Sequence, residues 1–186
     1  MKTKKINIKS VETFLDKKLK RNCIAVGYDV AMHSTGIVRI RTTEDFLVIE
    51  DMVKIITPND ISQNDALDLF TEQLDTFKNK ENEKPKIDIS IIEDCFFGQN
   101  VNTLKALARH SVLVYDRMKR ISNITTFLMP TSARSKVGFV KSNKKVKAGA
   151  LKKEIMNFVS LALDIKMKDE HLADACLLAL AGIIKE

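Results

Sequence analysis

Apolar positions recur along this chain at two spacings, one of about two residues and one of three to four, and the switches between them predict a mixed sheet flanked by helices. From Cys23 the segments CIAVGYD, TGIVRIR after a turn at His33–Ser34, and FLVIEDMVKII are rich in β-branched and aromatic residues. They predict three antiparallel strands. Pro58 and Asn59 end that pattern, and Ala66, Leu67, Leu69, Phe70, Leu74 and Phe77 then form a helical stripe, followed by a polar linker, KNKENEKPK. Ile87–Ile92 is a short apolar run of the kind that a parallel sheet buries on both faces. Between Asn100 and Arg120, Leu104, Leu107, Val114 and Met118 make one stripe, and Val101, Ala108, Val112 and Tyr115 an adjoining one. So wide an apolar surface suits either burial within the monomer or a face shared with a second subunit.

Thr125–Met129 reads as a further strand, stopped by Pro130, and the basic stretch 133–154 as a solvated loop leading into a helix around Lys152–Leu163. The segment from Asp169 to Ile184 is apolar almost all round and reads as a buried helix. The N-terminal residues 1–21 are Lys-rich, with Val11, Phe14, Leu15 and Leu19 spaced for one short amphipathic helix. They read as a peripheral basic extension to a domain spanning 22–186. The order of elements predicts an α/β fold: a five-stranded mixed sheet, part antiparallel meander and part parallel, with helices on both faces.

With 186 residues and 45% hydrophobic content, one domain with a sizeable core is expected. A net charge of +7 points to a polyanionic partner, and its distribution sharpens that reading. From Lys105 to Lys153 the only acid is Asp116, so the alternatives there are a solubilising face and contact with phosphates. No apolar stretch approaches the roughly 18–20 residues that span a bilayer, and MKTKKINIKS lacks a signal-peptide core, so a soluble, cytoplasmic protein is expected. Cys23, Cys95 and Cys176 lack metal or redox spacing and read as buried thiols.

Three acids stand at the edges of apolar elements: Asp29 and Glu93 at strand exits, and Asp174 at the start of the last helix. Carboxylates brought together at the lip of a core repel one another unless they share a cation. His171, three residues before Asp174, lies on the same helical face. Three carboxylates and an imidazole suit Mg²⁺ or Mn²⁺ better than a structural zinc, and two such ions about 4 Å apart would serve phosphodiester hydrolysis. Two alternatives stay open: Asp29 and Asp174 as simple caps, and Glu170 in place of His171. His33 and His110 have no partner spacing and read as packing or surface residues.

The motifs VGYDVAMHSTGIV, IIEDCFFGQNVNTLKALARHSVLV and EHLADACLLALAG resemble those of RuvC-type Holliday junction resolvases, within the RNase H-like (retroviral integrase) superfamily. The resemblance runs from about Cys23 to Ile184. Val30–Ala31 stand where the family often has Pro-Gly, and the low glycine content suits a divergent branch, such as one carried by a phage. The resemblance implies that Asp29, Glu93, His171 and Asp174 are the catalytic and metal-binding residues, holding Mg²⁺, with Mn²⁺ as a substitute. It further implies that Phe96 stacks on a base near the junction point. Basic residues approaching the DNA are then Lys105, Arg134, Lys136, Lys141, Lys144, Lys145 and Lys147. The implied activity is that of a homodimer that nicks a four-way DNA junction at two symmetric positions. A broader flap or fork nuclease and a non-catalytic junction-binding protein are the alternatives.

Overall fold

The computed structural model describes residues 4–94, 101–141 and 148–185. Within them the order is β1 (Lys4–Asn7), α1 (Ile8–Leu15), β2 (Ile24–Asp29), β3 (Ser34–Thr42), β4 (Phe46–Ile56), α2 (Gln63–Asn82), β5 (Ile87–Glu93), α3 (Val101–Lys119), β6 (Ser122–Leu128), α4 (Pro130–Lys136), α5 (Ala148–Ala162) and α6 (Glu170–Ile183). The strands form a single sheet in the order β1-β4-β3-β2-β5-β6. The meander β2-β3-β4 is antiparallel, β5 joins β2 in parallel, and β6 joins β5 in parallel.

Each face of the sheet carries its own core. Along β2, Ile24, Val26 and Tyr28 point to one side, where they meet Phe70, Leu74 and Phe77 of α2 and Val114 and Met118 of α3. Ala25 points to the other side, into a core built by α1, α4, α5 and α6. This two-sided burial explains why β2 reads as an almost unbroken apolar run. Among the described residues no helix is long and apolar enough to cross a membrane.

The sheet has six strands, not five, because the N-terminal segment supplies one. Lys4–Asn7 pairs antiparallel with β4, and Ile8, Val11, Leu15 and Leu19 enter the core, so residues 4–19 are not peripheral. Glu12 locks the segment that follows: its buried carboxylate accepts from the Leu19 amide at 2.8 Å and from the Arg21 guanidinium at 2.9 Å. The expected linker also differs. Helix α2 runs through Asn82, and Glu81 near its end is buried against Arg39 of β3, which also donates to Glu50 and to the Pro85 carbonyl. The expected basic loop begins as a short helix, α4, with Pro130 in its first turn. Cys23 and Cys176 are buried free thiols, and Cys95 lies outside the described residues.

Two glycines set the distance between sheet and helix. A Cβ at Gly27 would run into the backbone of Ala175 and Ala179, and one at Gly36 into the His171 carbonyl. Helix α6 therefore lies directly on the backbone of β2 and β3. Gly36 also pairs with Asp29 across the two strands, so this close approach brings the first turn of α6 to the end of β2.

Candidate active site

The parallel register that pairs Tyr28 with Ile92 leaves Asp29 and Glu93 side by side, each as the last residue of its strand. Beyond Asp29 the chain turns, and Thr35 closes the turn: its hydroxyl accepts from the Ala31 amide at 3.3 Å and donates to the Ala31 carbonyl at 3.2 Å. Opposite stands the first turn of α6. Asp169 caps it by accepting from the His171 and Leu172 amides, and is itself held by the Lys54 ammonium at 2.6 Å. The cap fixes the rotation of the helix, so His171 and Asp174 both face the strand ends.

The four side chains sit in one cleft of about 500 Å³. His171 Nδ1 lies 2.6 Å from Asp29 Oδ2, to which it donates. Asp29 is only 7% exposed. Burial, with Asp174 and Glu170 adding their repulsion, pushes its carboxyl up to about 7, against a hydrogen bond from Glu93 and the nearby Lys152. Burial and the adjacent Asp29 raise Glu93 to about 10, so at neutral pH Glu93 keeps its proton and donates to Asp29. Asp174 is raised by burial, and the Arg134 guanidinium, 3.5 Å away, opposes that rise. Buried acids held above their ordinary values beside one another mark a place where positive charge is wanting.

Hard, oxygen-rich donors of this kind fit a divalent cation. As they stand, Asp29 is engaged with Glu93 and His171, and among the described residues no three His, Cys, Asp or Glu side chains are disposed to hold an ion together. Binding would require the shared proton to leave and these hydrogen bonds to open.

Glu170, the rival to His171, turns instead to Lys152 at 2.7 Å, and its carboxylate lies 3.9 Å from His171 Nε2. Arg134, expected on a basic loop, lies inside the cleft against Asp174. Lys105 and Lys141 are exposed, Lys136 is half-buried at the end of α4, and Phe96, Lys144, Lys145 and Lys147 lie outside the described residues. Sequence reasoning passed over Lys152 and Thr103, which also line the cleft. Lys152 was visible only as one of many lysines, with nothing to mark the helical face it occupies.

No family model matches the chain, and no curated protein is significantly similar to it in sequence. Solved structures do match. The chain superposes on RuvC of Thermus thermophilus in complex with a Holliday junction substrate with a TM-score of 0.64 and 14% identity, covering 86% of this chain and 91% of that one. A second Thermus thermophilus RuvC structure gives 0.63 at 14% identity, over 87% and 98% of the two chains. This is a RuvC fold. The yeast mitochondrial Holliday junction resolvase also matches, with a TM-score of 0.52 and 13% identity over 92% of this chain and 82% of that one. In the RuvC fold of this chain the acidic cluster stands at the carboxyl ends of β2 and β5, the edge where open α/β sheets bind ligands.

Proposed function

We propose that this protein is a structure-selective endodeoxyribonuclease that resolves four-way DNA junctions by paired phosphodiester hydrolysis. The observation that carries this reading is the convergence of Asp29, Glu93, His171 and Asp174 in one cleft of a RuvC fold. Asp29, Glu93 and Asp174 would hold Mg²⁺, which when bound polarises the scissile phosphate and lowers the pKa of a bound water.

The residues of the chain divide the remaining work. His171, oriented through Nδ1 by Asp29, keeps Nε2 for the proton of the attacking water; the 2.6 Å bond supports this role over direct metal binding. Water oxygen bonds to phosphorus, the bond to the 3′ oxygen breaks, and that oxygen leaves as a hydroxyl, giving ends that a ligase can rejoin. Arg134 binds the phosphate: it faces Asp174, and its Nε is buried without a partner among the described residues. Lys152 adds a second positive charge to the same cleft. Lys105 and Lys141, both exposed, contact phosphates farther from the cut.

Paired cleavage needs two sites. Val112 of α3 is 60% exposed, and Ile124 and Phe127 of the edge strand β6 are exposed beside it, with Phe127 stacked on Tyr115 at 5.3 Å. This apolar surface supports a homodimer formed through α3 and β6. Cleavage of matched four-way junctions, forks and flaps tests the whole reading: a strong preference for the junction is expected, and equal rates on all three would leave only a general branched-DNA nuclease.

A further inference from the structure

A second cavity, of about 220 Å³, opens beside the catalytic cleft and shares Met32 and His33 with it. Its walls are largely apolar, built by Ala66 and Leu67 of α2 and Ala106 of α3, and the exposed Arg109 stands at its rim. His110, on α3, enters it while only 5% exposed. The Phe70 ring, with its centroid 4.7 Å from that of the imidazole, backs it from α2.

His110 presents a defined but unmet demand. Its Nδ1 lies 2.8 Å from the Ala106 carbonyl oxygen, which can only accept, so Nδ1 carries the proton. Burial lowers the pKa of the ring and keeps it neutral, which leaves Nε2 as a lone-pair acceptor. Neither this nitrogen nor His33 Nδ1 has a partner among the described residues. A buried acceptor without a donor is destabilising, and such groups in folded proteins call for a ligand or a bound water.

We propose that this cavity receives one unstacked base of the substrate strand, with His110 Nε2 accepting from an N–H on the Watson–Crick edge of that base. The inference rests on the nuclease reading above. A strand crossing the catalytic cleft passes Met32 and His33, which wall both spaces, so a nucleotide beside the scissile phosphate is within reach. The cavity is smaller than a drug-sized pocket, planar heterocycles fit its apolar walls, and Arg109 is placed for the flanking phosphate. Bases at a branch point are the least costly to unstack. A base that leaves Nε2 unpaired is rejected, so the cavity gives the enzyme a cleavage-sequence preference at one position.

The test places 2-aminopurine at successive positions around the branch point of a synthetic four-way junction and binds it to the full-length Glu93→Gln protein. Fluorescence should rise at one position near the cut, and the rise should vanish when either His110→Phe or Ala106→Leu is added. In the active protein, an abasic site at that position should slow cleavage about tenfold, the loss expected for one hydrogen bond to a buried group, yet should not slow the His110→Phe protein further. If junctions are cut but fluorescence is equal at every position, or is unchanged by both substitutions, the base site is wrong and the nuclease reading stands. A wild-type protein that cuts no branched DNA would overturn both.

Discussion

Replacing Asp29 by Asn should stabilise the metal-free protein, and more so as the pH rises. Asp29 ionises near 3.8 in an unfolded chain and near 7 in the fold, because burial and the neighbouring acids oppose its charge. Between those values the folded state binds more protons than the unfolded state, so this group makes stability fall with rising pH. The difference of about 3 pH units, at about 1.4 kcal/mol each, sets an upper limit of about 4 kcal/mol at pH 8. Asn removes the charge but cannot reproduce every hydrogen bond to His171 and Glu93, so a net gain of about 1–3 kcal/mol is expected. Urea unfolding of wild type and variant in EDTA, at pH 5 and pH 8, measures it. The variant should be little different at pH 5 and clearly more stable at pH 8, whereas Mg²⁺ should stabilise the wild type and leave the variant almost unchanged. A variant less stable than wild type at pH 8 in EDTA would refute the claim that these carboxylates are held together against their own repulsion.

Gly36→Ala should push the first turn of α6 off β3, because the new Cβ meets the His171 carbonyl; cleavage should fall by about 100-fold, as displacements of about 1 Å do, and unchanged kcat would contradict the close approach. Glu12→Gln breaks a buried ion pair with Arg21 and should cost about 2–4 kcal/mol in chemical denaturation. Arg21 holds the Glu12 carboxyl down at about 2, so wild-type stability from this pair is present above about pH 4.5 and is lost as the pH falls towards 2, and the variant should lack that acid sensitivity. Val112→Glu on the exposed face of α3 should convert a dimer to monomers in sedimentation equilibrium while the monomer stays folded; a wild type that is monomeric at assay concentrations would remove the proposed interface.

The parts of the fold legible in the sequence are those where burial is two-sided or periodic. β2 and β5 announce themselves as apolar runs, and their terminal acids stand out because nothing apolar explains them. α6 is apolar on every face because it lies directly on the sheet under α5. The N-terminal strand KKIN was not legible: as an edge strand it buries only one side chain, Ile6, and its lysines read as a solvated tail. Glu81 and Arg39 hid each other in the same way, since each charged residue looks exposed until its partner, 42 positions away, is brought beside it. Arg134 was legible as a cation, but its place against Asp174 depends on α4 packing on α6.

The central claim is that Asp29, Glu93, His171 and Asp174 form one phosphodiester-cleaving site specific for junctions. The most direct measurement is cleavage of a four-way junction, compared with a matched fork and flap, by wild type, Asp29→Asn and Glu93→Gln in Mg²⁺, with junction binding followed in parallel by gel shift. The wild type should nick the junction at two symmetric positions and largely spare the fork and flap, and both variants should bind the junction without cutting it. Cleavage that survives both substitutions would contradict the site, and a wild type that binds the junction but never cuts it would contradict the enzyme.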